Sequence, residues 1–342
     1  MQATLMVLVC SIAAEPSTEW KKLSTLPDRE GFAGSFAGVS HGALIVAGGA
    51  NFPDKKPWDG GTKVWTDAVF VLERPDGSWK SGGKLPRPLG YGVSVTHRDS
   101  VVCVGGSDAT RHYSDAFRLE WKGGKLVTTE LPPFPGPVAN ACGALLGDVL
   151  YVAGGQEKPD SESTSNAVCR LDLSADKLKW EEVEPLPAGR MLSVAAVCDG
   201  AFWVVSGVDL TSKSGRPVER VYTRDVYRYD PGRGWKSGTT LPHPVAAAPT
   251  PAPTDASGFR VLGGDDGSQV GVAPDKHKGF GKTVLRYDLA AKKWVDTGAI
   301  PSPRVTTACV RWNDRWVVPS GEVYPGIRSP EVWAFMPGKR SN

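Results

Sequence analysis

The chain has few of the residues that mark most catalytic or metal-binding classes. Six Cys are scattered singly through 342 residues with no CxxC spacing, which excludes a zinc ribbon and argues against a disulfide framework. Cys103, Cys169, Cys198 and Cys309 sit in Val/Ala-rich runs, where a free thiol serves as a small core hydrophobe. Five His show neither HxH nor HExxH spacing, and each reads as a solvent or turn residue. Phosphate loops are absent. Charge of one sign is also missing: 40 basic and 37 acidic residues are well mixed, for a net charge of +3. That balance leaves no electrostatic footprint for nucleic acid or an anionic membrane. Long amphipathic helical patterns are not found, and the apolar run at residues 5–14 is too short to span a bilayer.

That run ends in small residues before Glu15-Pro16, which suits cleavage after Ala14, although no Lys or Arg precedes it. Residues 1–14 are therefore expected to be a signal peptide, and the mature protein to be periplasmic or secreted.

What the chain does have is Gly, Pro and Trp: 40, 28 and 12 residues, without collagen periodicity. This composition points to many short strands joined by tight turns. An apolar run ending in two small residues recurs six times, at Gly48-Gly49, Gly105-Gly106, Gly154-Gly155, Ser206-Gly207, Gly263-Gly264 and Ser320-Gly321. The spacings are 57, 49, 52, 57 and 57 residues, close to the kelch period of about 50. Each pair is followed by a polar loop and an alternating strand, then in four units by Trp79, Trp180, Trp235 or Trp294, expected to pack between neighbouring units. Four strands per unit is the grammar of a propeller blade.

The sixth unit stops without its outer Trp strand, while Glu19-Trp20-Lys21-Lys22-Leu23 stands orphaned at the start. The fold expected is all-β, a six-bladed kelch β-propeller over residues 15–337, its last blade closed by the N-terminal strand around Trp20, with a tail at 338–342. The second unit lacks its Trp, so its outer strand should be the least well packed.

Loops on one face of a propeller gather around the central channel, and long ones carry function on a rigid frame. Residues 51–66, 209–224 and 265–282 are the long candidates. The first offers Asn51, Trp58 and Lys63, an amide, an aromatic face and a cation that suit a sugar, or equally an ordinary polar loop. Asp265-Asp266-Gly267 provides too few regularly spaced oxygens for calcium, and no metal or other cofactor is expected. The chemistry is placed at Ser320-Gly-Glu-Val-Tyr-Pro-Gly-Ile-Arg328, where a Pro-Gly turn separates a carboxylate from a guanidinium. By themselves Glu322 and Arg328 would also serve as an ion pair bracing that turn.

Four segments carry a resemblance: Gly31-Phe-Ala-Gly-Ser-Phe-Ala-Gly38, Ala47-Gly-Gly-Ala-Asn-Phe-Pro-Asp54, Gly90-Tyr-Gly-Val-Ser94 and Ser320–Arg328. Together they resemble the N-acetylneuraminate epimerases (sialic acid mutarotases), kelch propellers of bacterial sialic-acid catabolism. The order of units resembles the cyclically permuted branch, and the likeness is read over the whole propeller. The resemblance implies that Glu322 is the proton acceptor in interconverting the α- and β-anomers. Arg328 would hold the substrate carboxylate, helped by Arg190 and Arg304. Asn51 and Lys63 would hold hydroxyl or N-acetyl groups, and Trp58 and Tyr324 would set specificity. Two positions depart from the pattern: Tyr324 where Lys is expected, and Leu89 where some members carry Arg. A kelch lectin or partner-binding module without turnover, and a mutarotase or lyase for another sugar acid, are the alternatives that the sequence leaves open.

Overall fold

In the computed structural model, residues 19–212 and 216–336 are described. The expected signal segment 1–14, with Cys10, and the tail 338–342 lie outside them. The described residues form six four-stranded antiparallel sheets and two small hairpins. Only two short 3-10 turns, Pro57–Asp59 and Pro274–Lys276, interrupt this all-β pattern among the described residues.

The sheets follow the chain in order. The first contains Phe36–Ser40, Ala43–Ala47, Ala68–Leu72 and Lys80–Lys84, and the next four blades repeat this meander. The sixth is built from Val310–Trp312, Arg315–Pro319 and Val332–Phe335, and its outer strand is Trp20–Lys22, which pairs Trp20 with Phe335 and Lys22 with Trp333. The ring therefore closes through strand pairing, as the orphaned Trp20 segment indicated. Closure removes the open first–last interface that would otherwise expose apolar blade faces. Trp20 and Phe335 pack at a tilt of 41° with ring centroids 4.4 Å apart.

The core is distributed as layers between blades. One layer joins blades 1 and 2 through Phe36, Val71, Leu89, Phe117 and Trp121, and another joins blades 6 and 1 through Leu44, Val46, Trp312 and Val332. The cysteines belong to these layers. Burial pushes the thiols of Cys103, Cys142 and Cys309 up, and those of Cys169 and Cys198 to about 11, so they are inert apolar fillers.

The repeated Trp has a second job besides packing. The Nε1–H of Trp79, Trp180, Trp235 and Trp294 donates to the carbonyl of Ser24, Pro132, Glu184 and Thr239, each on the chain leaving the previous blade's outer strand. Blade 2 has Trp121 on its third strand instead, donating to Glu73. Its outer strand Lys125–Glu130 is left with Leu126 as its one partly covered residue.

The small pairs do what their composition predicts. Gly48 has φ +65, and a Cβ there would meet the Leu89 carbonyl at 2.1 Å. Where Ser replaces the first Gly, at Ser206 and Ser320, φ stays positive and the hydroxyl bridges to the neighbouring blade. Ser320 Oγ accepts the Phe32 N–H at 2.8 Å and so ties blade 6 to blade 1.

One feature has no sequence signature. Gly34, Tyr91, Asn140, Leu192, Ala247 and Thr306, one per blade, all have positive φ. Each donates its N–H to the carbonyl of its counterpart in the preceding blade, at 2.6 to 2.9 Å, and Gly34 closes the cycle on Thr306. This belt of six hydrogen bonds surrounds the channel axis. It offsets the backbone strain of five non-Gly residues in a left-handed conformation.

Candidate active site

The hydrogen-bonded belt divides the central channel. Below it lies a narrow space lined by Gly34, Ser94, Ala141, Ser193 and Thr307. Above it opens a cavity of about 520 Å³, within the range of roughly 300–1,000 Å³ typical of small-molecule sites. Tyr91, Asn140, Leu192, Ala247 and Thr306 line this upper cavity as its floor.

The walls come from the three long loops and the 320–328 hairpin. Residues 51–66 contribute Phe52, Pro57 and Lys63; residues 209–224 contribute Arg220 and Tyr222; residues 265–282 contribute Asp265, Gln269, His277 and Phe280. The sixth blade contributes Glu322, Pro325, Gly326 and Arg328.

Glu322 and Arg328 face each other across a two-stranded hairpin, Glu322–Tyr324 with Ile327–Arg328. Glu322 occupies the position immediately after the small pair, and its backbone bridges to Val305 beside the belt. This fixes its side chain over the channel mouth. Oε1 accepts the Gly326 N–H at 2.7 Å and lies 3.3 Å from Arg328 Nη1. Oε2 has no hydrogen-bond partner among the described residues. The carboxylate is thus held by one oxygen and presents the other. The Arg328 guanidinium is buried, stands 4.7 Å from the Phe52 ring centroid, and donates no hydrogen bond from Nε or Nη1 among the described residues. A buried guanidinium with unmet donors calls for an anion.

Lys63 also lines the cavity. Its Nζ stands 4.6 Å from the ring centroids of both Trp65 and Tyr91 and donates to the Tyr91 hydroxyl at 3.3 Å. Across the cavity Tyr222 donates to Asp265 at 2.7 Å, and burial together with that bond raises its pKa, keeping the phenol protonated. Asp265 spends its other oxygen on the Gly267 N–H. Among the described residues no cluster of three or more His, Cys, Asp or Glu could hold a metal ion.

Five expected site residues lie elsewhere. Arg190 is 1% exposed, stacked over Tyr227 and bonded to the Ser206 carbonyl within its blade. Arg304, 2% exposed, bonds Glu331 and Ser302. Both brace the blade frame, Arg190 through the Ser206 carbonyl and Tyr227 and Arg304 through Glu331. Asn51 is buried with its amide on the Gly31 carbonyl, so it pins the loop base. Trp58 is 45% exposed and stands outside the cavity lining, against Gly326. Tyr324 directs its hydroxyl to the carbonyls of Pro274 and His277, tethering the loop of residues 265–282 to the hairpin. Leu89 is a buried core residue. Of the histidines read as solvent or turn residues, His97 is buried with Nε2 2.7 Å from Asp148, and His112 is buried against the Gln156 carbonyl. His277 lines the cavity.

Tyr91, Asn140, Gln156 and Arg220 are cavity residues that sequence reasoning did not single out. Only Tyr91 carried a signal, as part of the Gly90-Tyr-Gly segment.

Comparison with known proteins finds sequence likeness over part of the chain. An N-acetylneuraminate epimerase of Yersinia pestis (strain Pestoides F) is 43% identical over 108 residues, covering 29% of this chain and 27% of the relative. One of Salmonella enteritidis PT4 is 44% identical over 105 residues, covering 26% and 27%. The matched stretch therefore spans about a quarter of the length of these curated relatives. A solved structure titled "Structure of YjhT" superposes with a TM-score of 0.63 over 78% of this chain and 84% of that one, at 15% identity, a likeness of fold alone. The resemblance read over the whole propeller is narrower in the sequence comparisons, which cover under a third of the chain for each of these relatives and, in the family model, stop short of Glu322 and Arg328. A family model described as N-acetylneuraminate epimerase matches residues 6–128, so the likeness to that family is carried by the first blade and nearly all of the second.

Proposed function

We propose that this protein is an exported sialic acid mutarotase, converting the α-anomer of N-acetylneuraminate to the β-anomer by opening and reclosing the sugar ring. The observation that carries the reading is the half-committed carboxylate of Glu322 beside the under-bonded guanidinium of Arg328 in a cavity sized for one sugar. The family likeness of residues 6–128 supports the substrate class.

The chemistry needs one base and one acid. Arg328 binds the substrate carboxylate through its planar fork and so sets the anomeric carbon beside Glu322. Glu322 Oε2 takes the proton of the anomeric hydroxyl while the ring oxygen is protonated, and the ring bond breaks as the carbonyl forms. The carbonyl then presents its other face and the ring recloses. The pre-bonded Oε1, held by the Gly326 N–H, keeps the base from turning away between the two steps.

A second reading, the same reaction on another sugar acid, is favoured by Tyr324. Where the family pattern has Lys, this side chain is committed to the carbonyls of Pro274 and His277, so the recognition a cation would supply there is absent.

Time-resolved proton NMR of freshly released α-N-acetylneuraminate tests the proposal. Faster approach to the β-anomer with protein than without supports it. No acceleration, with ligand-induced shifts for a different sugar acid, supports the second reading. Neither effect would leave the propeller as a binding module.

A further inference from the structure

We infer that Tyr91 is the acid that protonates the ring oxygen, with Lys63 as the residue that orients and charges it; this rests on the mutarotase reading. The base at Glu322 needs a proton donor on the far side of the bond being broken, and the cavity offers a phenol in position to serve.

Three observations locate it. First, Tyr91 belongs to the belt, so its backbone is fixed by N–H donation to the Gly34 carbonyl at 2.7 Å and by acceptance from Asn140 at 2.9 Å. Second, its ring lies over Gly34. A Cβ at Gly34 would come within 2.7 Å of Tyr91 Cδ1. In the belt Gly34 stands between Tyr91 and Thr306 of the sixth blade, so the absent side chain leaves room for the ring, and Tyr91 and Glu322 line the same cavity. Third, the hydroxyl is charged from behind. Lys63 Nζ donates to it at 3.3 Å, while Trp65 packs edge-on with centroids 6.2 Å apart. Tyr91 Oη accepts this bond and donates to no acceptor among the described residues. An ammonium on the oxygen directs the phenolic proton away from Lys63 and stabilises the tyrosinate left after transfer.

The step balances. Glu322 takes the anomeric O–H proton, the bond from the anomeric carbon to the ring oxygen breaks, and the ring oxygen takes the Tyr91 proton. On reclosure the new hydroxyl returns its proton to Tyr91 as its oxygen attacks the other carbonyl face, and Glu322 returns its proton to the carbonyl oxygen. No external proton is consumed.

The test is Tyr91→Phe, which keeps the ring and removes the proton, assayed by α-to-β conversion beside Lys63→Met, Lys63→Arg and the wild type. The expected result is a kcat lowered by about 10²–10³-fold with KM within a few-fold, the typical share of a general acid. Lys63→Met should lower kcat and Lys63→Arg should restore part of it. Wild-type rates in Tyr91→Phe, or a change in KM alone, would overturn the assignment while leaving the mutarotase reading intact. A wild type that neither accelerates the reaction nor binds the sugar overturns both. Because a substitution on the belt could disturb folding, the ring-carbon resonance of ¹³C-labelled Tyr91 in the unaltered protein gives an independent readout. It should shift on saturation with N-acetylneuraminate, and a ligand that binds without moving it contradicts the inference.

Discussion

Arg328 Nη1 stands 3.3 Å from Glu322 Oε1, the same oxygen that accepts the Gly326 N–H, so the guanidinium and the turn together hold one carboxylate oxygen while the other faces the cavity. Replacing Arg328 by Lys keeps the positive charge and removes the fork. Losing a charge-assisted bond costs about 1.5–3 kcal/mol, so KM for the sugar acid should rise roughly 10–100-fold, more than kcat falls. Steady-state kinetics with the α-anomer measures this, and an unchanged KM would remove Arg328 as the carboxylate ligand.

Ring closure is testable through stability. Trp20 is half-buried against Phe335 in the pairing that completes blade 6. Trp20→Ala should cost about 2–4 kcal/mol, read as a lowered midpoint in urea. A midpoint equal to wild type would mean that the N-terminal strand does not close the propeller in solution.

The Ser320 hydroxyl is the sole hydrogen-bond acceptor for the buried Phe32 N–H among the described residues. Ser320→Ala leaves that donor unsatisfied, at a cost of about 1–3 kcal/mol. Thermal unfolding should show the loss, and a midpoint equal to wild type would mean that the Phe32 N–H does not depend on this hydroxyl.

Acid stability has a local source in Asp255. Burial raises its carboxyl, but hydrogen bonds from Ser257 and Arg260 outweigh burial and hold it below its ordinary value. A depressed carboxyl contributes stability that is present above its unfolded pKa of about 3.9 and is lost as pH falls through the lower folded value. Asp255→Asn should therefore lower stability at neutral pH and flatten the decline below pH 4, measured by unfolding at several pH values. A decline as steep as that of the wild type would place the acid sensitivity elsewhere.

The frame was legible because its cause is local. A Gly or Ser before Gly in every unit marks a turn that needs positive φ, and an unpaired Trp20 strand marks closure. The Glu322–Arg328 hairpin was legible for the same reason, since a Pro-Gly turn brings two near residues face to face. The belt was not: Tyr91, Asn140, Leu192, Ala247 and Thr306 have no residue type in common, and their positive φ comes from hydrogen bonds between blades. Arg190 and Arg304 show the same limit from the other side. An Arg after Leu-Pro or Ile-Pro reads alike whether it enters the cavity or stacks inside a blade, and only the packing of Tyr227 and Glu331 decides.

The most direct test of the account is α-N-acetylneuraminate conversion, followed by proton NMR, with wild type and Glu322→Gln side by side. The amide keeps the shape and removes the base. The account predicts acceleration by the wild type and a loss of about 10²–10⁴-fold in the variant with folding unchanged. Equal acceleration by both would contradict the assignment of Glu322 as the base on which the mechanism turns.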